Sequence, residues 1–237
     1  MENTAHILPI ALPLFFWIVY HLWKDRHLPE PPGNLVLAFL LGAGSFYLGI
    51  SMYWALEFVD LRLDAYGMVE TNLGGLFAYS LIVIGGIEEL AKMIPFLLII
   101  LRFKAFDEPI DGMIYGSFIA LGFASVENIN HVGFVTIGEA WARGFAGPVV
   151  HMAFSSIWGY YIGSTFLCGK PITRVVITCL AFTAILHGLY DFIVIALPSP
   201  ALPISASIIL WIWLWRLRLI RKLHALPPGP CPPELEK

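Results

Sequence analysis

Long apolar stretches alternate with short polar connections along the 237-residue chain. A membrane-spanning helix needs about 20 mostly apolar residues, each rising 1.5 Å. Seven stretches meet that length: residues 7–23, 35–56, 73–101, 111–133, 144–167, 174–197 and 201–219. The pattern predicts an all-α, polytopic transmembrane helix bundle, one domain over residues 1–226. Residues 227–237 are expected to form a disordered cytoplasmic tail, because Pro-Pro-Gly-Pro-Cys-Pro-Pro cannot continue a helix. Lys24-Asp25-Arg26 follows Trp23 directly, with no small-residue cleavage site, so the first stretch reads as a retained span. The third stretch is longer than a crossing requires and charged at its centre, which predicts a tilted, kinked or broken span. No internal repeat is visible.

Composition explains why lipid must be the solvent. Hydrophobic residues make up 58% of the chain and charged residues 13%, with a mean hydropathy of +0.77. Soluble domains carry about 25% charge. Such a chain has too little polar surface to cover itself, which excludes a disordered protein, a secreted disulfide scaffold and a nucleic-acid partner. The net charge of −3 identifies no partner, and Cys168, Cys179 and Cys231 lack metal-ligand spacing. Lysine and arginine carry more information. Eleven of the fourteen fall on one side of a seven-span chain: Lys24, Arg26, Arg102, Lys104, Lys170, Arg174, Arg216, Arg218, Arg221, Lys222 and Lys237. Only Arg62 and Arg143 fall on the other side, and Lys92 lies within a span. The positive-inside rule then sets the N-terminus outside and the C-terminus in the cytoplasm. In this reading the basic stretch from Arg216 to Lys222 snorkels to cytoplasmic headgroups, His21 and His131 are interfacial, and the Phe and Trp residues serve packing and interface anchoring.

Ionisable side chains inside spans are costly, about 2.5–3.5 kcal/mol each on insertion scales. Spans three to six nevertheless contain Glu88, Glu89, Lys92, Glu127, His151, His187 and Asp191. Glu88, Glu89 and Lys92 share one arc of a helix, preceded by Gly85-Gly86 and followed by Pro95. The glycines are expected to admit a close backbone, and the proline to free the carbonyl of Ala91. His187 and Asp191 are four apart, suited to a carboxylate that orients an imidazole. Phe123, Glu127 and His131 share a face beside Asn128; His151 shares one with Gly147, Ser155 and Trp158. Under the charge-derived orientation Glu127, His151, His187 and Asp191 lie in the exterior half of their spans. One pair alone reads equally well as a structural ion pair. Four carboxylates against one lysine do not: protonated acids, charged histidines or a metal cation must balance them, and each is a functional-site state.

The local sequences also resemble a known family. Glu88-Glu89-Leu-Ala-Lys92 resembles the E-E-x-x-K motif of the PrsW family of intramembrane proteases, and Phe123-Ala-Ser-Val-Glu127-Asn128 its F-x-x-x-E-N motif. Arg143 through His151 to Gly159 is similar to the family's histidine span, and His187-Gly-Leu-Tyr-Asp191 to its H-x-x-x-D motif. The resemblance covers about residues 70–195. It implies a wider superfamily with the CAAX prenyl-protein endopeptidases and the scaffold subunit of gamma-secretase. The endopeptidases carry a histidine in the place of Glu127 and often an asparagine in the place of Asp191, so their mechanism does not transfer unchanged.

The implied function is an intramembrane peptidase acting on a single-span membrane protein near the exterior boundary. The resemblance makes a bacterial anti-sigma factor an example of such a substrate, cut to start signalling in the cytoplasmic membrane. Hydrolysis needs a base, an oxyanion donor and an acid for the leaving amine. The expected roles are Glu88 as base, tuned by Glu89 and Lys92, with Glu127 sharing the proton. His151 and His187 polarise the carbonyl or protonate the amine, Asp191 holds His187, and Asn128 donates to the oxyanion. Cofactors stay open between none and zinc, with His151, His187 and Glu127 as candidate ligands. A non-catalytic membrane scaffold and a proton- or cation-coupled transporter are the alternatives, and oligomeric state is undetermined.

Overall fold

A computed structural model of the chain describes residues 7–24, 26, 29–197, 202–225, 229 and 231–232. The expected tail over 227–237 falls largely outside the described residues. Among them the fold is all helical. The helices are α1 (Leu8–Lys24), α2 (Pro32–Glu57), α3 (Ala65–Thr71), α4 (Leu73–Tyr79), α5 (Gly85–Leu98), α6 (Pro109–His131), α7 (Ile137–Leu167), α8 (Thr173–Ala196) and α9 (Leu202–His224). Among the described residues four helices are long and apolar enough to cross a membrane: α2, α6 with its extension to Phe134, α8, and α9 from Pro203. Leu8–Lys24 is a shorter apolar helix.

Helix α6 is the centre of the bundle. Its apolar window is 94% buried, against 33% for α2 and 28% for α9, so the outer helices present apolar side chains to lipid. It packs most extensively against α7 and α2. Four hydroxyls within the spans are satisfied locally: Ser117, Ser125, Ser156 and Thr183 donate to carbonyls one turn back, at 2.6–2.8 Å. At the start of α7, Glu139 accepts from the Thr136 backbone N–H at 2.7 Å, closing a capping box.

The long third stretch is neither broken nor a regular helix. Between α4 and α5 residues Ser80–Ile84 form a π-helical turn. One extra residue per turn changes the direction in which every later side chain points, a device common at functional sites. The close backbone expected at Gly85-Gly86 is met at Gly85 and belongs to α8, while Gly86 has open space around it. A Cβ on Gly85 would lie 2.2 Å from the carbonyl oxygen of Ala184, and one on Gly188 would lie 2.1 Å from that of Ser80. These glycines let α8 and the π-turn touch backbone to backbone, bringing His187 against Glu89.

Two polar groups differ from expectation. Arg216 does not snorkel: it is fully buried. It donates to Ser156 Oγ at 2.8 Å and Ser117 Oγ at 3.0 Å, and its guanidinium lies 5.0 Å from the Trp213 ring centroid. His21 is likewise buried rather than interfacial, 2.9 Å from the Arg216 guanidinium. The hydroxyls of two other helices and this imidazole give the guanidinium partners inside the bundle, which headgroups would otherwise have to supply. Cys168 and Cys231 form a disulfide that ties the tail to the end of α7, and Cys179 is free and buried.

Candidate active site

Four helices contribute the polar cluster. Just past the π-turn, α5 brings Glu88, Glu89 and Lys92; α6 brings Glu127, α7 brings Arg143, His151 and Trp158, and α8 brings His187 and Asp191.

Glu89 is the organising carboxylate. It and Lys92 are both fully buried and form an ion pair. Its second oxygen accepts from the indole N–H of Trp158 at 2.9 Å. Its first also accepts from His187 Nδ1 at 2.8 Å. With three donors and no exposure, Glu89 is committed to holding its neighbours. It occupies the orienting place expected of Asp191, which instead lies 3.6 Å from His187 Nε2.

His151 is held from both sides. The Lys92 ammonium donates to Nδ1 at 3.1 Å, and Nε2–H donates to Glu127 at 2.7 Å. Because an ammonium only donates, Nδ1 must be the acceptor, which assigns the tautomer. Glu127 in turn accepts from Arg143 at 3.0 Å. The imidazoles of His151 and His187 stand 5.0 Å apart at 80°, flanked by Phe123 and Phe154.

The chemically open point is His187 Nε2. Since Nδ1 donates to Glu89, Nε2 carries a lone pair. It faces Glu88 Oε2 and Asp191 Oδ2, each 3.6 Å away. Both carboxylate oxygens are buried without a hydrogen-bond partner. Three acceptors converging in a buried space repel one another unless a proton or a cation lies between them. Ligand atoms of Glu88, His151 and His187 all lie within 4.8 Å of one another. Two imidazoles and one carboxylate are a donor set suited to catalytic zinc, and Glu89 supplies the outer carboxylate that fixes a ligating histidine. These residues fit a divalent metal through His187 Nε2 and Glu88, with His151 joining through Nδ1 only in exchange for its Lys92 hydrogen bond. Glu127, an expected ligand candidate, bonds His151 from behind instead.

Two residues were not singled out for the site by the sequence reading. Trp158 is not an interface anchor but a buried donor to Glu89; its place two turns from His151 on one face was the available signal. Arg143 counted as an exterior charge and as the start of the histidine-span resemblance, with no site role given; it holds Glu127. Asn128 sits outside the cluster, with its amide donating to the Arg143 carbonyl at 3.4 Å. His131 bonds back to the Glu127 carbonyl at 2.9 Å and does not enter it.

Comparison with known proteins identifies the family. Residues 30–217 match a family model described as PrsW family intramembrane metalloprotease. The chain is 31% identical to Protease PrsW of Bacillus subtilis (strain 168) over 196 residues, 82% of this chain and 83% of the relative. It is 30% identical to Protease PrsW of Clostridioides difficile (strain 630) over 193 residues, 79% and 76% of the two chains. With Protease PrsW of Geobacillus kaustophilus (strain HTA426) it shares 28% over 194 residues, 81% and 79%. No solved structure matches. The match spans every helix that contributes to the cluster, so the chain is an integral membrane peptidase and belongs to the PrsW family of intramembrane proteases.

Proposed function

We propose that this protein cleaves a single-span membrane protein near its exterior boundary, in a bacterial cytoplasmic membrane. It does so as a single seven-span domain with its N-terminus outside. The observation that carries the chemistry is the convergence of Glu88 Oε2, Asp191 Oδ2 and the His187 Nε2 lone pair. Glu88 and Asp191 orient a water between them, and Glu88 receives its proton and passes it to the leaving amine. His187, aimed by Glu89, and His151, aimed by Lys92 and Glu127, set the face on which the water stands. A divalent metal held by His187 and His151 beside Glu88 would lower the pKa of that water and polarise the carbonyl.

Depth supports the exterior side. Glu127 lies four residues from the end of α6 and Asp191 five from the end of α8, about 6–8 Å by helical rise. The charge-derived orientation makes both of these exterior ends.

Purified protein in proteoliposomes with a labelled single-span substrate tests the reading. Glu88→Gln and His187→Ala are expected to insert normally and to lose cleavage, with the wild-type cut mapping to the exterior boundary by mass spectrometry. Wild-type turnover in Glu88→Gln would overturn the assignment of Glu88, and a cytoplasmic cut would overturn the orientation. Chelation is expected to strip a divalent ion and abolish cleavage, with zinc restoring it. Full activity of metal-free protein would leave protons alone to balance the acids.

A further inference from the structure

A buried charge needs a counter-charge, and one charge outside the cluster has none. Arg216 on α9 is fully buried, and its five N–H donors can be followed one by one. Nε–H donates to Ser156 Oγ at 2.8 Å, and Nη2 donates to His21 Nε2 at 2.9 Å and Ser117 Oγ at 3.0 Å. All three acceptors are neutral. Each hydroxyl gives its own proton to a backbone carbonyl, and His21 Nδ1 donates to the Trp17 carbonyl at 2.8 Å, which leaves Nε2 as a lone pair. No carboxylate among the described residues forms an ion pair with Arg216. Both N–H groups of Nη1 are left without a partner.

Unpaired donors continue on α1, where Trp17, Tyr20 and His21 share one face. The indole N–H of Trp17 and the hydroxyl of Tyr20 are buried atoms that make no hydrogen bond, and this hydroxyl lies beside the guanidinium. The Trp17 and Tyr20 ring centroids stand 5.4 and 5.5 Å from that of Trp213, and the guanidinium lies 5.0 Å from the same ring. Aromatic rings thus close the seam between α1 and α9, with the unpaired donors gathered around them. Lys24, one turn beyond Tyr20, extends the row: its ammonium lies 5.7 Å from the Tyr20 centroid. Arg218 is exposed only about 3 Å further along α9, so headgroup level is close to the buried arginine.

We infer that Arg216, Trp17 and Tyr20 form a binding site for a phosphate group, which enters through the seam between α1 and α9. Its negative charge balances the guanidinium in the interior, where an unpaired charge is most costly. A guanidinium suits phosphate, and several phosphate oxygens can accept from donors that approach on separate helices. Two sources offer this chemistry: the headgroup of an anionic phospholipid and free inorganic phosphate. Lys24 and Arg218 draw the headgroup to within about a turn of the site. The inference is independent of the peptidase reading.

The test uses the full chain, purified in a neutral detergent and stripped of lipid. It is titrated separately with phosphatidylglycerol, with diacylglycerol (the same chains without the phosphate), with inorganic phosphate and with chloride, and read by native mass spectrometry and Tm. Phosphatidylglycerol is expected to stay bound at one copy per chain and to raise the Tm, and diacylglycerol to do neither. Tyr20→Phe and Trp17→Phe each remove one donor and keep an aromatic ring, and should weaken that binding about tenfold, as for a lost hydrogen bond to a charged group. Arg216→Met should abolish it; if that variant does not fold, the two phenylalanine variants decide. Arg218→Gln, which changes only surface charge, should bind within twofold of wild type. Saturable inorganic phosphate with the same response to Tyr20→Phe, and no retained lipid, would keep the site and make free phosphate its ligand. Wild-type binding in both phenylalanine variants would overturn the inference, as would binding of neither phosphate source. Equal effects of diacylglycerol or chloride would overturn the phosphate, and an equal loss in Arg218→Gln would trace binding to the surface instead.

Discussion

Replacing Gly188 by alanine adds one methyl group where the structure has no room for it. The new Cβ would lie 2.1 Å from the carbonyl oxygen of Ser80 and 2.5 Å from the Cα of Leu81. Both are backbone atoms of the π-turn, so no side-chain rotation relieves the clash; α8 must retreat by about 1 Å. His187 precedes Gly188, and its 2.8 Å bond to Glu89 crosses this same contact. A retreat of that size takes the bond beyond hydrogen-bonding distance, and His187 Nε2 no longer faces Glu88. Overpacking of this kind costs about 1–3 kcal/mol, and a 1 Å misplacement of reacting groups costs about 10²-fold in rate. Two measurements on purified protein follow: the Tm in detergent and the cleavage rate in proteoliposomes. The expected outcome is a lower Tm with a rate down by about two orders of magnitude. Gly188→Ala with unchanged Tm and wild-type rate would refute the backbone contact and the argument built on it.

Trp158→Phe keeps the ring in the core but leaves one buried Glu89 oxygen without its donor, a loss of about 1–3 kcal/mol; stability and turnover should both fall, and wild-type values for both would remove Trp158 from the site. Under the orientation proposed above, Cys168 and Cys231 would face a reducing compartment and should react with thiol reagents in intact, growing cells after permeation, while forming the disulfide in purified protein. A disulfide that persists inside cells would argue for the opposite orientation.

The sequence by itself determined the class of the molecule and the identity of its reactive groups. Apolar stretches of spanning length and 13% charge leave no option but lipid-covered helices, because both are local properties that need no knowledge of packing. Glu88, Glu89, Lys92, His187 and Asp191 were legible for the same reason. Spacings of three and four residues fix neighbours on one helix face, and an intramembrane charge stands out against its surroundings. Packing decided which of these groups meet. Local spacing pairs His187 with Asp191, yet the approach of Gly188 to Ser80 carries Glu89 to Nδ1 first. The π-turn, which sets the direction of the whole α5 triad, has no residue signature in Ser80–Ile84. Arg216 lies in a basic run that reads as headgroup-bound, but hydroxyls 60 and 99 residues away hold it in the interior. Trp158 resembles every other membrane tryptophan until its partner, 69 residues away, is known. Helical periodicity extends over a few residues along one helix, whereas contacts between helices depend on crossing geometry and the fit of distant side chains, which only the folded bundle specifies.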